Sequence, residues 1–276
     1  MDFDVLIIGT GLAGLTLASL KGFRSISSKL TGHGESHLFP EGVMVSNGPL
    51  GSSLPIAQGL AMADRLADRT RTTICVISDG GMMEGEAKEA VAAIPGLAGK
   101  DLVNPFVLVI SDNNTKLSGR IDADSFSMQP TFAALEAQGW RVVKLDHGND
   151  LQAAFTAVET ALRLAESDRT KPVALWAKTV KGFGVASAMK SASGGHGFAL
   201  GGGDVAKLRP WCLEINGGQQ LPAPFEAWLA EIEAADAAKK AAAAAKAAAA
   251  PAAAPAPAGP KKDKIQAGFP KAMIAA

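Results

Sequence analysis

The middle of this chain alternates short, continuous apolar runs with longer segments of helical periodicity. Apolar runs without alternating polar residues are typical of strands that are covered on both faces, as in parallel sheets. The intervening segments can form the crossovers that parallel strands require. The pattern therefore predicts an α/β fold, a doubly wound and mostly parallel sheet with helices on both faces. The expected strands are residues 72–78, 106–110, 140–145 and 172–177, and the expected helices are residues 84–97, 130–138 and 150–166.

Polar residues follow the first two of these strands at the point where each strand ends. Asp79 comes directly after one strand, and Asn113 follows the next. In open α/β sheets, ligands bind beyond the carboxyl ends of the strands. Carboxylate and amide oxygens are hard ligands that suit Mg²⁺ or Ca²⁺ and do not suit Zn²⁺. The pair therefore predicts a divalent metal at this edge of the sheet.

Glycines beside Asp79 extend this prediction to a phosphate ligand. Gly80 and Gly81 would let a diphosphate approach the backbone closely, at the start of a helix whose amides favour anions. The simpler alternative is ordinary capping, with Asp79 as a helix N-cap and Asn113 as a turn residue.

Composition excludes several classes of partner. The 276 residues contain 27 basic and 27 acidic side chains, so we expect no surface for nucleic acid or for an anionic membrane. Two cysteines, Cys75 and Cys212, do not suggest a disulfide framework and fit a reducing compartment. The acidic start and the lack of a long apolar run predict neither an export signal nor a membrane helix. A cytoplasmic location follows as an expectation.

A glycine-rich fingerprint near the start suggests a different cofactor. Residues 4–8 read as a strand, and Gly9, Gly11 and Gly14 follow with dinucleotide-type spacing, as in flavin-dependent amine or aspartate oxidases. Such a site needs a second strand that ends in an acid about 20 residues later. The candidates, Glu35 and Glu41, follow a polar stretch. The alternatives are a flavoprotein or, more simply, a short β-hairpin, a strand–helix appendage or a foreign segment, which we assign to residues 1–22.

The end of the chain has the composition of a linker. Residues 237–260 are almost entirely Ala, Lys and Pro, with no apolar face that could join a core. We therefore expect a linker over residues 236–263, helical at times in its Ala/Lys half. A short final segment, residues 264–276, follows it.

Ordered motifs connect these features to a known family. Six motifs lie at residues 28–35, 45–51, 78–85, 111–114, 178–184 and 195–197. On these motifs, the chain from about residue 23 to 218 resembles the diphosphate-binding domain of thiamine diphosphate-dependent transketolases, which implies the thiamine diphosphate-binding fold over residues 23–235. Ser78 departs from the family pattern, which has glycine there.

The resemblance implies a role for each matching residue. Asp79, the side chain of Asn113 and the backbone carbonyl of Thr115 would bind Mg²⁺ (or Ca²⁺), which bridges the phosphates of thiamine diphosphate. The positions that would lie against the cofactor are Gly48, Pro49, Leu50, Gly51, Gly80 and Gly81. The Gly80 amide would donate to the diphosphate. Glu84 would lie at a subunit interface, and His33 would face the substrate. His196 is either a phosphate contact or a loop histidine.

The implied activity is transfer of a two-carbon ketol unit between sugar phosphates. The family's activating Glu lies in a separate pyrimidine-binding domain, of which residues 264–276 resemble only the opening. We therefore expect half an active site, inactive alone and completed in a homo- or hetero-oligomer, such as a dimer, with a pyrimidine-domain chain. The alternative is a truncated or fused remnant that acts as a dimerising scaffold or has no function.

Overall fold

A five-stranded parallel sheet organises the protein. The computed structural model describes residues 5–8, 33–41, 43–46, 48–196 and 205–249. The strands are β1 (Val5–Ile8), β2 (Thr72–Ser78), β3 (Phe106–Asp112), β4 (Thr115–Lys116), β5 (Gly119–Arg120), β6 (Arg141–Leu145) and β7 (Val173–Lys178). The sheet order is β1-β2-β3-β7-β6, with every neighbouring pair parallel, and β4 and β5 form a separate antiparallel hairpin.

Helices connect these strands. They are α1 (Ser53–Leu66), α2 (Gly85–Gly99), α3 (Ile121–Asp124), α4 (Gln129–Ala133), α5 (Leu151–Ser167), α6 (Ala186–Lys190), α7 (Leu208–Ile215) and α8 (Ala223–Ala249), with 3₁₀ turns at Gly81–Met83 and Val205–Lys207. Helix α5 begins where the carboxylate of Asp150 accepts a hydrogen bond from the amide of Ala153 at 2.7 Å. Within the described ranges, no helix combines the length and the apolar character that a membrane crossing would need.

Both faces of the sheet are covered. On one face, Leu108 and Ile110 of β3 pack in a cluster with Leu54 of α1 and Ile94 of α2. The opposite face packs against α5, whose buried alanines repeat every fourth residue and allow close approach to the sheet. The expected doubly wound α/β architecture is confirmed. The cluster on this second face includes Ala157, Ala161, Ala165, Ile74, Val107, Val173 and Leu175.

Strand register brings the polar strand ends together. Ser78 of β2 pairs with Ser111 of β3, and Asp112 of β3 pairs with Lys178 of β7. The carboxyl ends of these central strands therefore lie at one edge of the sheet.

The first strand extends this same sheet. Val5 pairs with Thr72, so β1 is parallel to β2. The glycine fingerprint at residues 9–14 lies outside the described residues.

The chain divides into two units, Met1–Leu229 and Ala230–Ala276. The first contains the sheet. The described part of the second, residues 230–249, is helical, and Asp236 pairs with Lys240 one turn later at 2.7 Å. The Pro-rich half of the expected linker and residues 264–276 lie outside the described residues.

Candidate functional site

Asp79 lies immediately beyond β2 and is only 1% exposed. Its Oδ1 accepts a hydrogen bond from the amide of Gly80 at 2.9 Å, and its Oδ2 accepts from the amide of Asn113 at 2.9 Å and from that of Asn114. Burial raises the pKa of Asp79; the charge of Asp112 adds to the rise, and the three amides oppose it. A cation beside this oriented carboxylate would favour its charged form.

Asn113 carries a buried oxygen that has no hydrogen-bond partner in the described part of the chain. Its Oδ1 accepts no hydrogen bond from any described residue, and its Nδ2 lies 3.4 Å from both the carbonyl oxygen and the Oγ of Ser111. An unpaired buried acceptor costs about 1–3 kcal/mol. Asn113 and Asp79 line the same cavity. The pair therefore fits a hard divalent cation, which would take oxygen ligands of these two types.

Thr115 continues from these residues into the β4–β5 hairpin. Asn114 has a left-handed φ of 54°, which turns the chain sharply between Asn113 and Thr115. The carbonyl oxygen of Thr115 would lie 3.5 Å from a Cβ placed on Gly80, so it faces the Asp79–Gly80 turn. The structure thus brings the three expected metal ligands together in one pair of loops.

A cavity of about 310 Å³ opens beside Asp79 and Asn113. The sequence interpretation missed Asp112, Gln129 and Lys178 among its lining residues. Oδ2 of Asp112 accepts hydrogen bonds from Trp176 Nε1 at 2.7 Å and Gln129 Nε2 at 3.0 Å, and it also pairs with Lys178. The available sequence signal was the position of Lys178 directly after the predicted strand 172–177. In the sheet, Lys178 of β7 is the register partner of Asp112 of β3.

The amides of the two glycines after Asp79 donate to protein oxygens. The Gly80 amide donates to Asp79 Oδ1, and its expected hydrogen bond to a diphosphate stays a prediction. The Gly81 amide donates at 3.1 Å to the hydroxyl of Ser78, the residue that replaces the family's glycine. A Cβ on Gly81 would lie 2.7 Å from Ile77 Cγ1, so this glycine is required for close packing.

The segment before α1 also reaches this region. Gly51 has a φ of 91°, and a Cβ there would lie 2.5 Å from Glu84 Cβ. Gly51 is therefore packed against Glu84, the residue that precedes α2. Gly48, Pro49 and Leu50 are exposed.

The two candidate histidines lie apart from the cavity lining. His33 is exposed at the start of the described segment 33–41. His196 is exposed at the end of the segment after α6, where its Nδ1 lies 2.7 Å from the Nζ of Lys181. Neither histidine lines the 310 Å³ cavity.

Comparison with known proteins assigns the family. A family model described as the thiamine diphosphate binding domain of transketolase matches residues 4–270. The chain belongs to this family. The transketolase domain match begins just before β1, so it includes the residues of the glycine fingerprint.

Relatives and solved structures agree with this assignment. The chain is 32% identical over 242 residues to a transketolase of Rhodobacter capsulatus, covering 84% of this chain and 34% of the relative. It is 34% identical over 198 residues to a transketolase of Staphylococcus epidermidis, covering 68% and 28%. The transketolase of Leishmania mexicana superposes with a TM-score of 0.57 at 25% identity, covering 83% of this chain and 34% of that one. The chain thus spans about a third of the length of these transketolases.

Proposed function

We propose that this chain binds Mg²⁺ and thiamine diphosphate at the carboxyl edge of its sheet. The observation that carries the proposal is the buried Oδ1 of Asn113, beside the oriented carboxylate of Asp79, for which the described residues supply no hydrogen-bond donor. Ordinary capping explains the three amide contacts of Asp79, but it does not explain a buried oxygen that lacks a donor. A bound cation would satisfy that oxygen and would lower the cost of burying the carboxylate.

Each residue would have a defined part in holding the cofactor. Asp79, Asn113 Oδ1 and the carbonyl of Thr115 would bind the metal. Because Gly80 has no side chain, the space beside the carbonyl oxygen of Thr115 would stay open for the diphosphate. The exposed residues 48–50 would lie against the thiamine. When bound, thiamine diphosphate supplies an electron sink for cleavage of carbon–carbon bonds.

The corresponding activity is transfer of a two-carbon ketol unit between sugar phosphates, in an oligomer with a pyrimidine-domain chain. Support comes from the relatives, which are about three times as long as the matched region. A solved transketolase of Pichia stipitis, whose 23% identity shows the shared fold alone, is a complex with sedoheptulose 7-phosphate. In this proposal, His33 would contact the sugar, and the exposed Glu84 would lie at the subunit contact.

Calorimetric titration of the full chain with thiamine diphosphate in the presence of Mg²⁺ tests the proposal. We expect saturable binding that disappears when Mg²⁺ is chelated. Asp79→Ala should weaken binding at least tenfold, because a charged metal ligand is lost. Asp146→Ala is the matched control, since Asp146 is an exposed carboxylate just beyond β6 at the same edge of the sheet. It should bind like wild type.

The partner is tested by adding a pyrimidine-binding chain and measuring ketol transfer from a ketose phosphate. We expect activity in the mixture and none with either chain alone. Absence of cofactor binding by wild type, both alone and in the mixture, would refute the proposal and favour the non-catalytic scaffold.

A further inference from the structure

The side-chain amide of Asn113 has two ends of similar size, a nitrogen and an oxygen. Hydrogen bonds therefore decide which end meets which neighbour. Its Nδ2 lies 3.4 Å from both the carbonyl oxygen and the Oγ of Ser111. A carbonyl oxygen only accepts hydrogen bonds, so it favours the amide nitrogen and disfavours the amide oxygen at this position. The opposite end, Oδ1, is the buried atom for which the described residues supply no donor.

The backbone of Asn113 is fixed on both sides of this amide. Its N–H donates to Oδ2 of Asp79 at 2.9 Å, and its carbonyl oxygen accepts a hydrogen bond from Oγ1 of Thr115 at 3.0 Å. These two bonds tie the main chain of Asn113 to the other expected metal ligands. What remains to be set is the orientation of the side-chain amide, and the contacts with Ser111 bear on that orientation.

Thr179 holds the hydroxyl group of Ser111 in place. Its Oγ1 lies 2.7 Å from Ser111 Oγ, and its amide donates at 3.0 Å to the carbonyl oxygen of Asp112. Thr179 directly follows β7, lines the same cavity as Asn113, and has a β-branched side chain with restricted rotamers. A row of polar groups thus runs from the end of β7 through the end of β3 to the Asn113 amide.

We propose that Ser111 and Thr179 are positioning residues that turn the oxygen of the Asn113 amide towards the metal. This inference rests on the proposed function and adds the device that orients one of its metal ligands. When Ser111 donates its proton to Thr179 Oγ1, the lone pairs of Ser111 Oγ face the Asn113 nitrogen. The reversed amide would point its N–H groups at the cation and would remove an oxygen ligand. Both hydroxyl groups are neutral, so they orient the ligand without changing the charge of the site.

Binding of Mn²⁺ to the full chain, followed by electron spin resonance, tests this assignment. Thr179→Val, which keeps the shape of the side chain, and Ser111→Ala should each weaken Mn²⁺ binding roughly 3- to 10-fold, as expected for loss of one hydrogen bond. Thr179→Ser, which restores the hydroxyl group, should bind within about twofold of wild type. Thr73→Val is the matched control and should bind like wild type, because this buried hydroxyl of β2 has no hydrogen-bond partner in the described part of the chain.

Two combined variants separate positioning from a general structural effect. Ser111→Ala with Thr179→Val should bind no more weakly than Ser111→Ala alone, since both changes break the same row of contacts. A carboxylate has equivalent oxygens and needs no such orientation, so on an Asn113→Asp background Thr179→Val should change Mn²⁺ affinity by less than about twofold. Equal weakening by Thr179→Val on both backgrounds would overturn the inference, and so would a failure of Thr179→Ser to restore binding.

The results also separate this inference from the proposed function. If wild type binds Mn²⁺ and responds to these changes but does not bind thiamine diphosphate, the cofactor proposal fails and the orientation of Asn113 stands. If wild type binds both, but Thr179→Val and Ser111→Ala bind Mn²⁺ as wild type does, the orientation inference fails and the cofactor proposal stands. Absence of Mn²⁺ binding by wild type would also overturn the orientation inference.

Discussion

Cys75 is fully buried in the middle of β2, and burial raises the pKa of its thiol to about 12. The folded-state pKa lies above the ordinary value of 9.0, so the unfolded chain loses this proton first. The contribution of Cys75 to stability is therefore complete below pH 9 and falls as the pH rises from 9 towards 12. Since the thiolate is the reactive form, the buried thiol is expected to be inert at neutral pH.

Thiol labelling at pH 8 checks this expectation. In the folded protein a maleimide should modify the partly exposed Cys212 and leave Cys75 unmodified, as read by mass spectrometry of the peptides. In denaturant both should react. Rapid modification of Cys75 in the folded protein would show that β2 is not buried as described.

Gly51 allows the chain before α1 to pack against Glu84. Gly51→Ala should destabilise the protein by roughly 1–3 kcal/mol, because the new methyl group meets Glu84 Cβ and the backbone has a left-handed φ. Gly48→Ala is the matched control, since nothing lies within 4 Å of a Cβ there. Urea unfolding, followed by circular dichroism, would measure the stability of the two variants. Equal unfolding midpoints for both variants would contradict the packing of Gly51 against Glu84.

At the scale of elements, Arg120 joins the β4–β5 hairpin to the end of α6 and the residue that follows it. Its Nη1 donates to Thr115 Oγ1 at 2.9 Å, and its Nη2 donates to the carbonyls of Met189 at 3.1 Å and Ser191 at 2.9 Å. The loop that carries Lys181 and the loop that carries the proposed metal ligands are therefore held together by one side chain.

Arg120→Met should loosen this connection without unfolding the sheet. Loss of these hydrogen bonds should raise amide hydrogen exchange at residues 189–194 about tenfold or more, with exchange in β2 and β3 unchanged. Arg163→Met, which removes an exposed pair with Glu159 on α5, is the control. Unchanged exchange at residues 189–194 in the Arg120 variant would contradict the link.

The strands and the two loops of the candidate site could be predicted from sequence, because both signals are local. Continuous apolar runs mark buried strands, and Asp79 and Asn113 directly follow two of them. The partners of Gly80 and Lys181 could not be predicted in this way. The Gly80 amide donates to the preceding residue, Asp79, whose carboxylate is also held by the amides of Asn113 and Asn114 from the end of another strand. Lys181 meets His196 because glycines with positive φ, among them Gly182 and Gly194, fold the segment between them back on itself.

At the scale of the whole molecule, the candidate site is assembled from segments that are distant in sequence. The ends of β2, β3 and β7 meet because the sheet aligns their carboxyl ends. A ligand that binds at this site should therefore stabilise the whole fold, since only the folded chain places Asp79 beside Asn113. A ligand at about 100 times its dissociation constant contributes about 2.7 kcal/mol.

Unfolding of wild type and Asn113→Ala, each with and without Mg²⁺ and thiamine diphosphate, tests the central claim most directly. Without ligand the two proteins should differ by about 1 kcal/mol or less, because the removed oxygen has no partner among the residues that the structure describes. With ligand at about 100 times its dissociation constant, wild type should gain about 2.7 kcal/mol and the variant should gain almost nothing. Equal stabilisation of both proteins, or of neither, would contradict the assignment of Asn113 to a metal and diphosphate site.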